Sequence, residues 1–371
     1  MKNCLRRSAT DRKHRNMRRF SRYPDWKVLL LLSLLPMVLG AASALAPSLP
    51  WSQGQQSQNP PAQKKEDPGQ FKIGVEVNMV TVPVTVRKPA GGFVKGLPQK
   101  AFHVTEDGEP QEVVLFTQEA VPTRIAIVLD ISGSVRSEWG AIKNSTRKFA
   151  ENLKSEDQFA LVAFNVETYL KMDWNHSTER LDSVLTSIYC KDNTNLWDTV
   201  YVVADELFKG VREKKAMIIM SDGLDNNSSV SYKDALAAAV RSEAAIYIVS
   251  KTQAVRQAYI LNQQQAGFYA GVPEEAFVQA DLALRNLAYE TGGRVLYPNN
   301  FGQLDNVYAD VDEELRNQYL LGYISTNSVK DGSYRKIDVL VNAPGAEVSA
   351  RPGYYAPNQL PSGRKKFPEI P

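Results

Sequence analysis

Cysteine and histidine are scarce in this chain. The 371 residues hold two cysteines, Cys4 and Cys190, and three histidines, His14, His103 and His176. Loss of the N-terminal stretch that carries Cys4 would leave Cys190 alone, so no intrachain disulfide framework is available to an exported form. The fold must then stand on its apolar core and, at most, on a metal. Three scattered histidines leave little for a zinc centre, which draws on nitrogen and sulfur ligands. Phosphate loops, G-x-G-x-x-G and G-x-S-x-G are all missing, which removes the usual sequence grounds for nucleotide binding or a serine hydrolase. Ser145-Thr146-Arg147-Lys148 matches S-x-x-K in form only and is read as surface chemistry, on the expected solvated face of a helical pattern. His176 and Glu167 stand in no motif that would make either a general base. The sequence therefore reads as that of a protein without enzymatic activity, and a metal-assisted hydrolase ranks last among the alternatives.

Basic charge is also missing from the part that folds. The formal charge of +3 comes from the first 46 residues, which carry ten Lys and Arg against Asp11 and Asp25; beyond them stand 34 basic and 39 acidic residues. A nucleic-acid partner would need a basic folded surface, so that class is set aside. Within the leader, a basic stretch to Lys27 is followed by the apolar run 28–46 and by Ala42-Ser43-Ala44, an A-x-A match. This is the layout of a secretory signal peptide. An uncleaved anchor is the alternative, since the run is near bilayer-spanning length. In both readings the remainder is exported (periplasmic, secreted or membrane-anchored), and membrane contact comes only through this segment if it is retained.

Residues 47–70 are rich in Pro, Gln, Ser and Lys and read as an extended tether. Residues 71–122 alternate apolar and polar residues and contain Asp107-Gly108 between two apolar runs, a hairpin signal. Residues 123–317 change style. Continuous apolar runs at 124–130, 158–164, 216–221 and 245–250 alternate with helical patterns at 139–153, 179–188, 196–208, 232–243, 281–290 and 303–316, and a short strand is expected at 294–297. Such alternation predicts an α/β domain with a doubly wound, mostly parallel sheet. Residues 251–280 interrupt the rhythm as a Gln-rich excursion with no assigned role. Residues 318–357 return to β style, and 358–371 form a tail. The two β segments are expected to meet in a β-sandwich-like unit that flanks the α/β domain.

In an open parallel sheet, ligands sit beyond the carboxyl ends of the strands. Three expected loops there carry oxygen side chains: Asp130-Ile131-Ser132-Gly133-Ser134, Asp192-Asn193-Thr194, and Ser221-Asp222-Gly223. Carboxylates and hydroxyls without nitrogen or sulfur form a hard donor set suited to Mg2+, with Mn2+ or Ca2+ also possible. Asp130, Ser132 and Ser134 alternate, so an extended turn can direct all three to one point. With mostly neutral hydroxyls as ligands, an ion there would retain positive charge and attract an outside carboxylate.

The DISGS run after a buried strand, a Thr some sixty residues later and SDG after a further strand resemble the metal-ion-dependent adhesion site of von Willebrand factor type A domains. That resemblance implies a Rossmann-like fold and Asp130, Ser132, Ser134, Thr194 and Asp222 as metal ligands. It also implies Asp198 as support for the Thr loop. Asp192 stands where the family often has glycine and would add negative charge near the ion. The segments FHVTEDGEPQEVVLF, ETGGRVLYPNN, ELRNQYLLGY and YRKIDVLVNAPGAEVSARPGYYAP resemble a bacterial subgroup of such proteins, of acidobacterial type. The implied function is metal-dependent recognition of a protein or peptide that offers an acidic group, or alternatively an envelope scaffold. Trp139, Tyr189 and Trp197 are either aromatics at the rim of the site or core residues.

Overall fold

The apolar run that ends in Asp130 becomes β5 (Thr123–Asp130), and every residue from Ile125 onward in it is buried. A computed structural model describes residues 79–119, 121–191, 193–251, 269 and 271–358. The leader, the tether, the start of the expected β segment at 71–78 and residues 359–371 lie outside them, as do Asp192 and residues 252–268.

β5 lies inside a six-stranded sheet with β6 (Gln158–Phe164), β7 (Thr168–Asn175), β8 (Lys214–Ser221), β9 (Ala245–Ser250) and β10 (Val295–Leu296), in the order β10-β9-β8-β5-β6-β7. All neighbours are parallel except β6 and β7. Alternate residues of β5 serve opposite faces. Ile125, Ile127 and Leu129 pack with α1 (Trp139–Asn152), α2 (Leu181–Thr186) and the last helix, α6 (Leu304–Asn317). Ala126 and Val128 pack with α3 (Leu196–Val202), α4 (Tyr232–Ser242) and α5 (Glu274–Glu290). Apolar cover on both faces explains why these strands read as unbroken hydrophobic runs. The doubly wound α/β expectation holds.

Several local expectations are corrected. β7 has no counterpart among the expected strands, because this edge strand has a mixed burial pattern rather than a clean alternation. α2 is shorter than residues 179–188, and Ser145 and Thr146 of α1 are buried against the last helix, beside Asp305 and Tyr308, rather than on a solvated face. The helix expected over 196–208 is α-helical only to Val202 and continues as a π-helical turn, Val203–Leu207. α5 starts at Glu274 rather than 281, after Pro273, and takes up the end of the supposed excursion. Glu274 and Glu275 in its first turn complement the positive end of the helix dipole.

The flanking strands form two four-stranded sheets. One joins β1 (Met79–Arg87), β4 (Val113–Thr117), β11 (Tyr319–Ile324) and β13 (Glu347–Ala350). The other joins β2 (Phe102–Glu106), β3 (Glu109–Gln111), β12 (Tyr334–Val341) and β14 (Gly353–Tyr355). Their common core includes Val80, Val82, Val84, Phe102, Val104, Tyr319, Leu321 and Ile337, drawn from both ends of the chain. β2 and β3 form the expected hairpin, with Asp107 at φ 51° and Gly108 at φ 90°. Two successive positive φ values match the twist of the strands and explain the Asp-Gly pair.

Candidate metal centre

The carboxyl ends of β5 and β8 are adjacent, so Asp130 and Ser221-Asp222 arrive at one place. The Ser132 backbone N–H donates to Asp130 Oδ1 at 2.8 Å, and the Ser221 hydroxyl donates to Asp130 Oδ2 at 3.2 Å. The first bond folds the chain into a turn that brings two hydroxyls together, with Ser132 Oγ 2.9 Å from Ser134 Oγ. Ser134 Oγ donates to Asp222 Oδ2 at 3.3 Å. Asp130, Ser132 and Asp222 are buried and Ser134 is half-buried. Gly223 follows at φ +76°, and a Cβ there would lie 2.7 Å from Leu284 Cδ1 of α5. The glycine of the SDG run therefore serves both the turn and the close packing of α5.

Thr194 sits on the neighbouring loop, buried, and its bonds to the loop after β8 run through its backbone. Its N–H donates to Asn226 Oδ1 at 3.1 Å, and its carbonyl accepts from the N–H groups of Asn226 and Asn227. The structure thus joins Asp130, Ser132, Ser134 and Asp222 directly and ties Thr194 to them through the chain that follows Asp222. Asp198, in the first turn of α3, accepts from the Ser229 and Val230 N–H groups at 2.9 and 2.7 Å. It braces the loop between β8 and α4, and its support of Thr194 is indirect. Asp192 lies outside the described residues. Of the three aromatics, Trp139 is in the core, Trp197 packs on Tyr232, and Tyr189 is 79% exposed a few residues before Thr194.

Two residues at this place carry no motif that marks them in the sequence. The Lys251 ammonium donates to Ser134 Oγ at 2.7 Å and lies 3.4 Å from Asp222 Oδ2. The Tyr269 hydroxyl donates to Asp222 Oδ2 at 2.8 Å. Both belong to the stretch taken as a Gln-rich excursion. The available signal was Lys251 itself, the first residue past a buried strand whose carboxyl end faces the same edge as Asp222.

The electrostatics fit a cation. Burial, and then the nearby Asp222 charge, push the Asp130 carboxyl up to about 6, while Lys251 and the Ser132 bonds act in the opposite direction. Burial and the Asp130 charge likewise push the Cys190 thiol up to about 11, so this buried cysteine remains a neutral thiol. Two acids and a set of hydroxyls, all oxygen, suit a hard divalent ion. Among the described residues no group of three or more His, Cys, Asp or Glu gathers as a metal site. Any centre here must therefore rely on hydroxyls, as this donor set does.

The sequence profile of the von Willebrand factor type A domain matches residues 125–308. No curated protein matches the chain significantly. Among solved structures, the fold is similar to proximal thread matrix protein 1 of the mussel byssus, in a form with a zinc-occupied MIDAS motif. Identity there is 15% and the TM-score 0.41, over 57% of this chain and 49% of that one. A von Willebrand factor type A protein of Catenulispora acidiphila gives 11% identity and a TM-score of 0.41, over 75% and 74% of the two chains. A PilB minor pilin variant of Streptococcus sanguinis gives 10% and 0.39, over 54% and 63%. The chain spans about half the length of the mussel protein. The acidobacterial-type resemblance rests mostly on segments outside 125–308 and is not addressed by the profile. Residues 125–308 thus form a von Willebrand factor type A domain, and the chain belongs to the proteins that carry one.

Proposed function

We propose that this chain is an exported recognition module that binds a protein or peptide through a divalent ion held at the carboxyl ends of β5 and β8. The observation that carries this reading is the meeting of Asp130, Ser132, Ser134 and Asp222 in one hydrogen-bonded cluster. These four residues would hold the ion, with Thr194 on the adjoining loop. When bound, such an ion supplies positive charge and a position open to an oxygen ligand from outside, for which an acidic side chain or a carboxylate terminus is the natural partner. The chain's own residues pre-shape the site. Ser221 and the Ser132 N–H orient Asp130, and Asp198 fixes the loop that carries Asn226 to Thr194. Tyr189, exposed on the approach to Thr194, offers an aromatic surface to the partner. Export is supported by the leader-like composition of residues 1–46.

The test is calorimetric titration of the full chain with Mg2+ and Mn2+, beside Asp130→Asn. Saturable binding that the variant loses is expected. Absence of heat in the wild type, repeated with an acidic peptide present, would remove the metal-dependent reading. A scaffold role with no metal dependence is the second reading, and the ammonium of Lys251 within the cluster favours it.

A further inference from the structure

Lys251 is a buried cation placed by the sheet itself. β8 and β9 pair in parallel with Ser221 opposite Ser250. The first residue past each strand is Asp222 on one and Lys251 on the other, and the Lys251 N–H donates back to the Ser221 carbonyl at 3.4 Å. The two side chains are therefore neighbours by register, and both are nearly sequestered, at 5% and 3% exposure. A lysine at this depth must find oxygen partners. Here they are Ser134 Oγ and Asp222 Oδ2, two of the atoms that the donor set offers to an ion. The Tyr269 ring lies 5.7 Å from the ammonium, and its hydroxyl holds the same Asp222 oxygen.

We propose that Lys251 is an internal occupant of the cation position, so that its ammonium and a divalent ion are alternative partners of Ser134 and Asp222. The inference rests on the metal-binding reading of this cluster. Charge supports exclusion: an ammonium and a divalent ion held by the same Ser134 and Asp222 oxygens would be like charges in near contact and repel strongly. Atom sharing supports it too. Ser134 Oγ accepts from Lys251 while lying 2.9 Å from Ser132 Oγ and 3.3 Å from Asp222 Oδ2, so the ammonium takes up a lone pair that a metal would need. The ion is admitted only when the lysine withdraws, which makes Lys251 a specificity-determining residue that holds the site against weak or scarce cations.

The experiment is a calorimetric Mn2+ titration of the full chain, wild type beside Lys251→Met and Lys251→Gln, with thermal melts of each in chelator and in Mn2+. Both variants are expected to bind Mn2+ at least tenfold more tightly than wild type and to show the larger rise in melting temperature. Adding Asp222→Asn to Lys251→Met should abolish that binding. A variant that is unfolded in chelator but folds with Mn2+ supports the proposal equally, since the ion then replaces the missing ammonium. Wild-type binding with no gain in either variant overturns the proposal and leaves the metal reading intact. Silence in all three proteins overturns both. Variants that fail to fold with or without Mn2+ also overturn it, because the ion would then be no substitute for the lysine.

Discussion

The Glu314 carboxylate near the C-terminal end of α6 accepts from Arg294 Nε at 2.6 Å, and the same oxygen is ion-paired with Arg87 of β1. Thr85 of β1 donates to the other oxygen at 3.3 Å. One buried acid thus ties the last helix of the type A domain to the first strand of the flanking sandwich and to the turn before β10. Removing one member of a buried pair leaves its partner uncompensated. The two arginines here keep partial access to water, at 25% and 32% exposure, which softens that penalty. Glu314→Gln is expected to cost about 2–3 kcal/mol in urea denaturation. A loss below about 0.5 kcal/mol, the range of an ordinary surface substitution, would show that Glu314 contributes little to holding the two parts together.

A second buried acid makes the sandwich sensitive to low pH. Glu106 accepts from Tyr323 at 2.7 Å, Tyr354 at 3.0 Å and Ser325 at 2.5 Å, and it pairs with Arg335 at 3.1 Å. Burial pushes its carboxyl up, but the hydroxyl bonds from Ser325, Tyr323 and Tyr354 and the Arg335 charge outweigh it, and the net position is below the usual glutamate value. A carboxyl lowered in the folded state binds its proton more readily when unfolded. Its stabilisation is therefore present above the ordinary glutamate range and is lost as pH falls through the lowered folded value. Urea midpoints measured from pH 7 down to pH 3 should show this acid limb in the wild type. Glu106→Gln should be less stable at pH 7 and should have a shallower acid limb, and equal slopes for the two proteins would contradict the assignment.

Gly223 links the site to α5. Its φ of +76° and the 2.7 Å that would separate a Cβ at this position from Leu284 Cδ1 act against any side chain. The left-handed backbone costs a non-glycine residue about 1–2 kcal/mol, and displacement of Leu284 adds to it. Gly223→Ala is expected to lower stability by about 2–3 kcal/mol and to weaken Mn2+ binding by shifting Asp222, the preceding residue. Retained stability and unchanged affinity together would mean that the turn relaxes without moving the carboxylate.

Much of the cluster was legible because it is local. Asp130, Ser132 and Ser134 are spaced by two, and one backbone bond from Ser132 to Asp130 suffices to gather them. Ser221-Asp222-Gly223 ends a run so apolar that its placement inside a sheet followed directly. β7 was not legible, because an edge strand needs no continuous apolar face. The resemblance implies Asp198 as support for the Thr loop; its acceptor bonds go to Ser229 and Val230, so that support passes through the β8–α4 loop, whose folded course the local pattern does not specify.

The sequence by itself determined the alternation of buried strands and helices, the Asp107-Gly108 hairpin and the hydroxyl-rich turn after β5. Each is encoded by residue type and spacing over a few positions, where the chain has few ways to satisfy its own backbone and bury its apolar face. Only the tertiary structure decided that Lys251 and Tyr269 meet Asp222, and that Glu314 meets Thr85. Lys251 reaches Asp222 because β9 pairs with β8 in one particular register, and Glu314 reaches Thr85 across 229 positions of sequence. Contacts of that kind depend on strand order and on how layers pack, which the local residue pattern at either end does not by itself specify.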